Sequence, residues 1–427
     1  MKFYFLFLAI VSFSAHSETT APYNFHFQFT TVSQEHLRIK SPYAGQNSLS
    51  STVDFKSSLT ATIFTGARIA HGTEVYFDPE LSGGKGFNQL NGIAAYPNGE
   101  IYRVDEPSPN WNMARLFLKQ TFEFGGTKEK LENQAHQIAE IYDQRRLTVV
   151  VGRFALTDYF DSNTYSHDPR TQFLNWALMD SGAWDYASDA RGYSQGLLLD
   201  WHEEHWSLRY AGVMVSQKAN GLYMDPISPT LHSDNLEFES RYELSDRPGA
   251  IRVMAFRNRA NMGEYRTAIN QGSPPDINKT HSKRIKYGFG LNAEQELAND
   301  LGAFSRLSWN DGQSETWAFT EIDLSLSLGL SLKGTRWSRP ADFFGMAFVF
   351  DGLSNDHRDY LAAGGYGFII GDGKLNYAPE QVLETFYLLQ LRKDVSFTGD
   401  YQFIMNPAYN ADRGPVSVLS LRFHYEI

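Results

Sequence analysis

Between Asp158 and Arg191 the chain reads DYFDSNTYSHDPRTQFLNWALMDSGAWDYASDAR, a stretch dense in side chains that could hold a solute. Carboxylates (Asp158, Asp161, Asp168, Asp180, Asp185, Asp189) and the guanidinium groups of Arg170 and Arg191 alternate with the rings of Tyr159, Phe160, Tyr165, Trp176, Trp184 and Tyr186. A sugar asks for that mixture, because its CH faces stack on rings while its rim hydroxyls bond carboxylates and guanidinium groups. We take Asp158, Asp161, Asn163, His167, Asp168, Arg170, Trp176, Trp184, Asp185, Asp189 and Arg191 as candidate binding residues. The alternative is a loop packed by its own side chains with no ligand. Trp176 sits in a helix-like Thr171 to Met179 and could serve packing instead of binding, and Asp168-Pro169 reads as a helix start with Pro at its first position.

Other chemistries find little support. No G-x-S-x-G, H-E-x-x-H or paired-carboxylate motif is present, so no catalytic residue and no cofactor is assigned. His202-Glu-Glu-His205 has the wrong spacing for two metal ligands on one helix. Asp161-Ser-Asn163-Thr-Tyr165 shares part of a calcium-loop spacing but lacks the glycine at position six and the closing glutamate, so no metal is assigned. There are no cysteines, which removes disulfides, thiolate metal sites and thiol nucleophiles.

The elements that would position these groups begin with an export signal. Lys2, the apolar run Phe3 to Phe13 and Ala15-His16-Ser17 have the three parts of a cleaved leader, so residues 1–17 are expected to be removed near Ser17. Cleavage takes one lysine and no acid, moving the formal net charge from −11 to 37 − 49 = −12. An acidic exported chain argues against nucleic acid as a partner. No apolar run approaches the ~20 residues of a membrane helix.

Residues 18–427 read as one β domain. Leu236, Phe238, Tyr242 and Leu244 alternate with Glu237, Glu239, Arg241 and Glu243; Ile322, Leu324, Leu326, Leu328, Leu330 and Leu332 alternate with Asp323, Ser325, Ser327, Gly329 and Ser331. Tyr287, Phe289 and Leu291 do the same against Gly288, Gly290 and Asn292. Period 2 over nine to eleven residues exceeds the usual strand of a soluble sandwich. Behind a leader, it predicts an all-β transmembrane antiparallel barrel with a wet interior.

Short and long connections alternate as that architecture requires. Sixteen strands are expected near 24–32, 59–69, 73–78, 113–124, 147–154, 192–201, 206–215, 236–244, 250–258, 286–297, 301–309, 317–337, 342–350, 382–391, 394–404 and 416–427. External loops fall at 33–58, 79–112, 155–191, 216–235, 259–285, 310–316, 351–381 and 405–415. The connection 125–146 is long for a periplasmic turn and reads as helix-like over Glu129 to Tyr142; Gly371-Asp-Gly373 reads as a small external hairpin. Leu419, Leu421, Phe423, Tyr425 and Ile427 form the apolar face of a closing strand. Arg68, Arg115, Arg209, Arg241, Arg252 and Arg306 fall on strands. Because a lipid-facing arginine at mid-membrane costs ~2–4 kcal/mol, they are expected on the lumen wall or at the interfaces. They would either oppose the loop acids across the bore or form a structural network of ion pairs.

Several motifs carry a family likeness. Gly152-Arg-Phe154 with 158–193, Gly86-Phe87 with Tyr96-Pro-Asn-Gly-Glu100, Ala255-Phe-Arg-Asn-Arg-Ala260 and Ala318-Phe-Thr-Glu-Ile-Asp323 are four of them. Gly371-Asp-Gly-Lys-Leu-Asn-Tyr377 with Pro379-Glu380, and Asn406-Pro-Ala-Tyr-Asn-Ala-Asp-Arg-Gly-Pro415, complete the set. Together they resemble the carbohydrate-selective porin family of the OprB type over essentially the whole mature chain. The resemblance implies a sixteen-stranded barrel of the Gram-negative outer membrane that admits sugars passively. By the loop count 155–191 is the third external loop, which in general porins bends into the lumen and sets the bore. The expected function is passive diffusion of mono- or small oligosaccharides. The alternatives are a general or acidic-solute channel, and a barrel enzyme or surface-binding protein working through its external loops. Expected partners are sugars, outer-membrane lipid and lipopolysaccharide and the barrel-assembly machinery, with the chain either a monomer or a homotrimer.

Overall fold

The computed structural model describes residues 21–101 and 108–427; the expected leader, 1–17, lies outside them. Sixteen antiparallel strands close into one barrel. They are β1 (Tyr23–His36), β2 (Asp54–Ala70), β3 (Thr73–Gly84), β4 (Asn110–Glu123), β5 (Arg146–Phe154), β6 (Ser194–His202), β7 (Trp206–Val213) and β8 (His232–Glu243). The second half is β9 (Pro248–Met262), β10 (Ser282–Ala298), β11 (Leu301–Asn310), β12 (Leu324–Gly334), β13 (Arg339–Gly352), β14 (Glu380–Arg392), β15 (Val395–Met405) and β16 (Val416–Glu426). β1 pairs with β16 from Gln28↔Glu426 to His36↔Val418, so the barrel sheet has no open edge.

The alternation in the sequence sorts residues between the two faces. Leu236, Phe238, Tyr287, Phe289, Leu291, Leu326, Leu328 and Leu330 are exposed on the outside, where lipid covers them; Glu237, Glu239, Asn292, Ser325 and Ser327 are buried inside. One turn shows how tightly the strands are joined at the short-turn end. Gly72 between β2 and β3 takes φ of 71°, a left-handed conformation that glycine adopts without steric cost.

Three expectations need correction. The strand predicted from 317 starts at Leu324, because Trp317 and Ile322 are buried against folded-in loops rather than facing lipid. The 125–146 connection is a β-hairpin pairing Lys128–Leu131 with Glu140–Asp143, not a helix. Its tip turns into the barrel mouth, where wall side chains bond its backbone. At 371–373 the chain forms no hairpin; Asp372 instead accepts from Asn410 Nδ2 at 2.8 Å and sits 3.5 Å from the Arg413 guanidinium.

The apolar core lies inside the barrel, not between layers. Phe87, Tyr96, Phe173, Trp184, Trp317, Tyr360 and Tyr409 from the long connections pack together within the lumen. Buried wall carboxylates bind the loop backbones there. Glu380 accepts from the N–H groups of Ala94, Ala95 and Ala408, and Glu384 from those of Leu174 and Asn175. Glu321, in the loop before β12, does the same for Ile369 and Ile370. Each buried carboxyl accepts from two or three backbone N–H groups that would otherwise lack a partner away from water, and so clamps a loop that could otherwise stay in solvent.

Candidate functional site

The stretch 155–191 crosses the lumen as a strap with two sides. One side is fastened to the barrel. Arg306 of β11, 2% exposed, donates to the carbonyls of Leu178 (2.9 Å), Asp161 (3.1 Å) and Ser166 (2.6 Å) and pairs with the Asp161 carboxylate at 3.1 Å. Asn292 of β10 donates to Asp161 Oδ1 at 2.7 Å, and Asn163 donates to Asn292 Oδ1 at 2.8 Å. Arg422 of β16 donates to the carbonyls of Pro169 and Gln172. Further along, Asp185 accepts from the backbone N–H groups of Trp317 and Ala318 and lies 3.5 Å from Lys286 Nζ. Trp184 is buried between Phe160 and Tyr186, its Nε1–H donating to Asn235 Oδ1 at 3.0 Å.

Four of the candidate binding residues lie away from the open side of the strap. Asp161, Asn163, Trp184 and Asp185 face the wall and brace the strap. The polar lumen wall offers them fixed donors and acceptors, which satisfies groups that would be costly to bury alone. The calcium-like spacing at Asp161 and Asn163 is consumed by these same bonds. The helix expected over Thr171 to Met179 is a four-residue turn, Trp176–Met179, capped by Asn175, whose side chain accepts from the Ala177 N–H. Asp168 starts a single turn, accepting from the Arg170 N–H at 3.0 Å and from the Thr171 hydroxyl.

The other side of the strap lines an open chamber of about 270 Å³. Asp158, His167, Asp168, Arg170, Trp176, Asp189 and Arg191 border it, joined by Arg115 from β4. Rings form one ledge of the chamber: Trp176 stacks on Phe319 with centroids 5.8 Å apart and an angle of 26°, and Phe319 meets Tyr186 at 4.8 Å. Charges on the chamber come in pairs. Arg115 forks onto Asp158 with distances of 2.7 and 2.5 Å, Arg170 lies 3.2 Å from Glu100, and Arg153 lies 2.6 Å from Asp189. Burial opposes charge on Asp158, yet the Arg115 guanidinium holds its carboxyl below the usual range. At Glu100 burial outweighs Arg170 and pushes the carboxyl up.

His167 fixes the strap's turn. Its Nδ1 lies 3.2 Å from the Met179 carbonyl and 3.4 Å from Asp180, and its Nε2 lies 3.1 Å from the Thr157 carbonyl. Both ring nitrogens thus face acceptors, which only the doubly protonated imidazolium satisfies. Burial works against that charge, but the Asp180 carboxylate raises the imidazole above its ordinary value.

Several chamber residues escape sequence reasoning. Gly99, Glu100 and Ile101 come from the second external connection, which is tied to the strap by Gly99 N–H to Leu174 O at 2.7 Å and Trp176 Nε1–H to Asn98 O at 2.7 Å. Phe319 comes from the loop before β12. Gly99, Glu100 and Phe319 lie in motifs that carry the family likeness, which was their only signal; Ile101 lies just past its motif. Of the six strand arginines, Arg115 alone borders the chamber. Arg306 holds the strap, Arg68 pairs with Glu74 and Glu140, and Arg209, Arg241 and Arg252 share Glu239. Two of the six thus oppose loop acids, Arg115 on Asp158 and Arg306 on Asp161, and the other four form a structural network of ion pairs.

A family model described as carbohydrate-selective porin, OprB family, matches residues 46–426. Among solved structures, OprB of Pseudomonas putida at high pH is similar with a TM-score of 0.72 and 14% identity, covering 95% of this chain and 94% of that one. Its low-pH structure gives 0.52 at 12% identity, with 95% and 93% covered. The outer membrane channel DcaP of Acinetobacter baumannii gives 0.50 at 8% identity, with 95% and 97% covered. These structural likenesses concern the fold. No curated protein matches the chain in sequence.

Proposed function

The chain belongs to the carbohydrate-selective porin, OprB family, and from that premise we propose that the chamber beneath the ring ledge is its sugar-selecting eyelet. As a member of that family it is a barrel of the bacterial outer membrane through which sugars diffuse passively. We assign selection to Trp176, Tyr186 and Phe319 as stacking faces, and to Glu100, Arg115, Asp158, Asp168 and Arg170 as partners for hydroxyl groups. The observation that carries this reading is the ledge of rings beside charges already paired with one another. Paired charges present directed donors and acceptors while their fields largely cancel, which suits a neutral polyol better than an acidic solute. Passage requires several weak contacts, since tight binding would prevent release.

The same reading makes the chain a channel and not an enzyme, for mono- and small oligosaccharides. Lipid and lipopolysaccharide surround the outer apolar face, and the barrel-assembly machinery inserts it. Monomer and homotrimer differ in detergent-corrected mass. The test is planar-bilayer recording with a pentose, a hexose and a disaccharide in turn. Neutral sugars should interrupt the ionic current in a concentration-dependent way, and sugar acids should do so less. Block by sugar acids alone, or conductance indifferent to every sugar, would contradict the assignment.

A further inference from the structure

The hairpin between β4 and β5 does more than join two strands. Its tip, residues 132–139, lies within the periplasmic mouth and is fixed from several sides. Asn24 donates to the Gln134 carbonyl at 2.7 Å, Arg68 to the Ala139 carbonyl at 3.2 Å, and Lys119 to the His136 carbonyl at 3.3 Å. His136 Nε2 meets the buried Asp78 carboxylate at 2.6 Å. Ile138, 1% exposed, joins Tyr76 and Phe117 in the apolar core, and its N–H donates to the Tyr76 hydroxyl at 3.2 Å. A solvated turn would make none of these contacts. The tip is held as a structural part of the pore.

Between this tip and the underside of the strap lies a second space, of about 570 Å³. Asn133, Gln134, Gln137, Tyr142 and Tyr159 contribute to its lining, and Asp158 borders both it and the upper chamber. The two spaces therefore lie on either side of Asp158, which Arg115 holds from the upper one. Asn133 meets His26 through its Oδ1, and Gln137 donates to the Glu132 carbonyl. That leaves the Asn133 amino group and the Gln137 carbonyl oxygen toward a ligand, and the tyrosines offer ring faces. Tyr142 supplies an independent pointer: it is 2% exposed, and its hydroxyl finds no hydrogen-bonding partner among the described residues. A buried hydroxyl without a partner is unfavourable, so an incoming hydroxyl that completes it is favoured.

We propose that this lower space is a second binding subsite, holding a small neutral sugar after it passes the eyelet and before it enters the periplasm. The proposal rests on the reading of the pore as a sugar channel. Two weak sites in series let a solute step through without one deep well, which is what conduction demands.

Single-channel recording of the whole protein tests it, with a pentose, a hexose and a disaccharide as probes. In the unaltered protein the current blocks should fall into two dwell-time classes. Tyr142→Phe removes only the unpaired hydroxyl, and Asn133→Ala alters an exposed tip residue, so both leave the barrel ladder untouched. Each should shorten one class about threefold, the worth of a single hydrogen bond. The class shortened by Trp176→Ala should be the other one. A single dwell-time class, or two classes that both ignore the hairpin variants, would overturn the second subsite while leaving the eyelet standing. Absence of block by any sugar in the unaltered protein would overturn both.

Discussion

Arg306→Ala should release the strap from the barrel wall and turn a narrow, selective pore into a wider, poorly selective one. The arginine is buried and holds three loop carbonyls together with the Asp161 carboxylate. Removing one partner of a buried ion pair costs ~3–5 kcal/mol, because the other charge stays stranded. Asn292 and the Ser181 N–H still serve Asp161, which offsets part of that cost. The strap can escape the rest by leaving the wall for water. The barrel need not fail with it, since sixteen strands are closed by their own ladders. We expect larger and noisier ionic conductance, loss of sugar block and protease cutting between 158 and 191, all measured on protein whose barrel remains heat-modifiable on gels. Arg306→Lys should fall between the two, keeping the charge but losing the planar fork that reaches several carbonyls at once. Unchanged conductance in Arg306→Ala would mean that the strap is held elsewhere.

Trp176→Ala should weaken sugar block about tenfold, equivalent to ~1.4 kcal/mol. The indole lines the chamber and stacks on Phe319, so its loss removes one of the three rings of the ledge on which a sugar's CH face would lie. Fully burying a large apolar side chain is worth about 1.5–3 kcal/mol, and a partial, reversible contact falls toward the lower end. Part of the effect could come through the tie between Nε1–H and the Asn98 carbonyl. Trp176→Phe separates the two, because it keeps a ring and loses the donor. Block restored in Trp176→Phe assigns the effect to stacking. The same dissociation constant in Trp176→Ala as in the unaltered protein would remove Trp176 from the eyelet.

The barrel was legible because lipid outside and water inside impose opposite demands on successive residues, and Leu236 to Leu244 or Leu324 to Leu332 display that demand directly. Membership of the strap was legible too, from its length and its crowd of rings and charges. The direction of each strap residue was not. In a soluble protein a buried face is apolar, so polarity reports exposure; here the barrel wall is itself polar, and Asp161 facing Arg306 looks no different in sequence from Asp158 facing the chamber. Trp184 and Trp176 pose the same difficulty, since one ring packs a loop and the other borders a passage. The hairpin at 125–146 misled for another reason. Lys128 to Tyr142 is rich in helix-forming residues, but Gly125 and Gly126 at its start take φ of 89° and 98°, and tertiary bonds to the wall override local preference. Glu100 and Phe319 reach the chamber from distant connections, and no local pattern announces such a meeting.

The central claim is that one face of the strap borders the passage while the other is sealed against the wall. A thiol test addresses it directly, because the chain has no cysteine of its own. Met179 lines the chamber, whereas Ala183, 1% exposed, lies on the wall side, its N–H donating to Ser308 Oγ. In planar bilayers a water-soluble, charged methanethiosulfonate reagent should react quickly with Met179→Cys and cut the current, and should leave Ala183→Cys unmodified. Current through Met179→Cys that ignores the reagent, or rapid modification of Ala183→Cys, would show that the strap does not line the pore in this way.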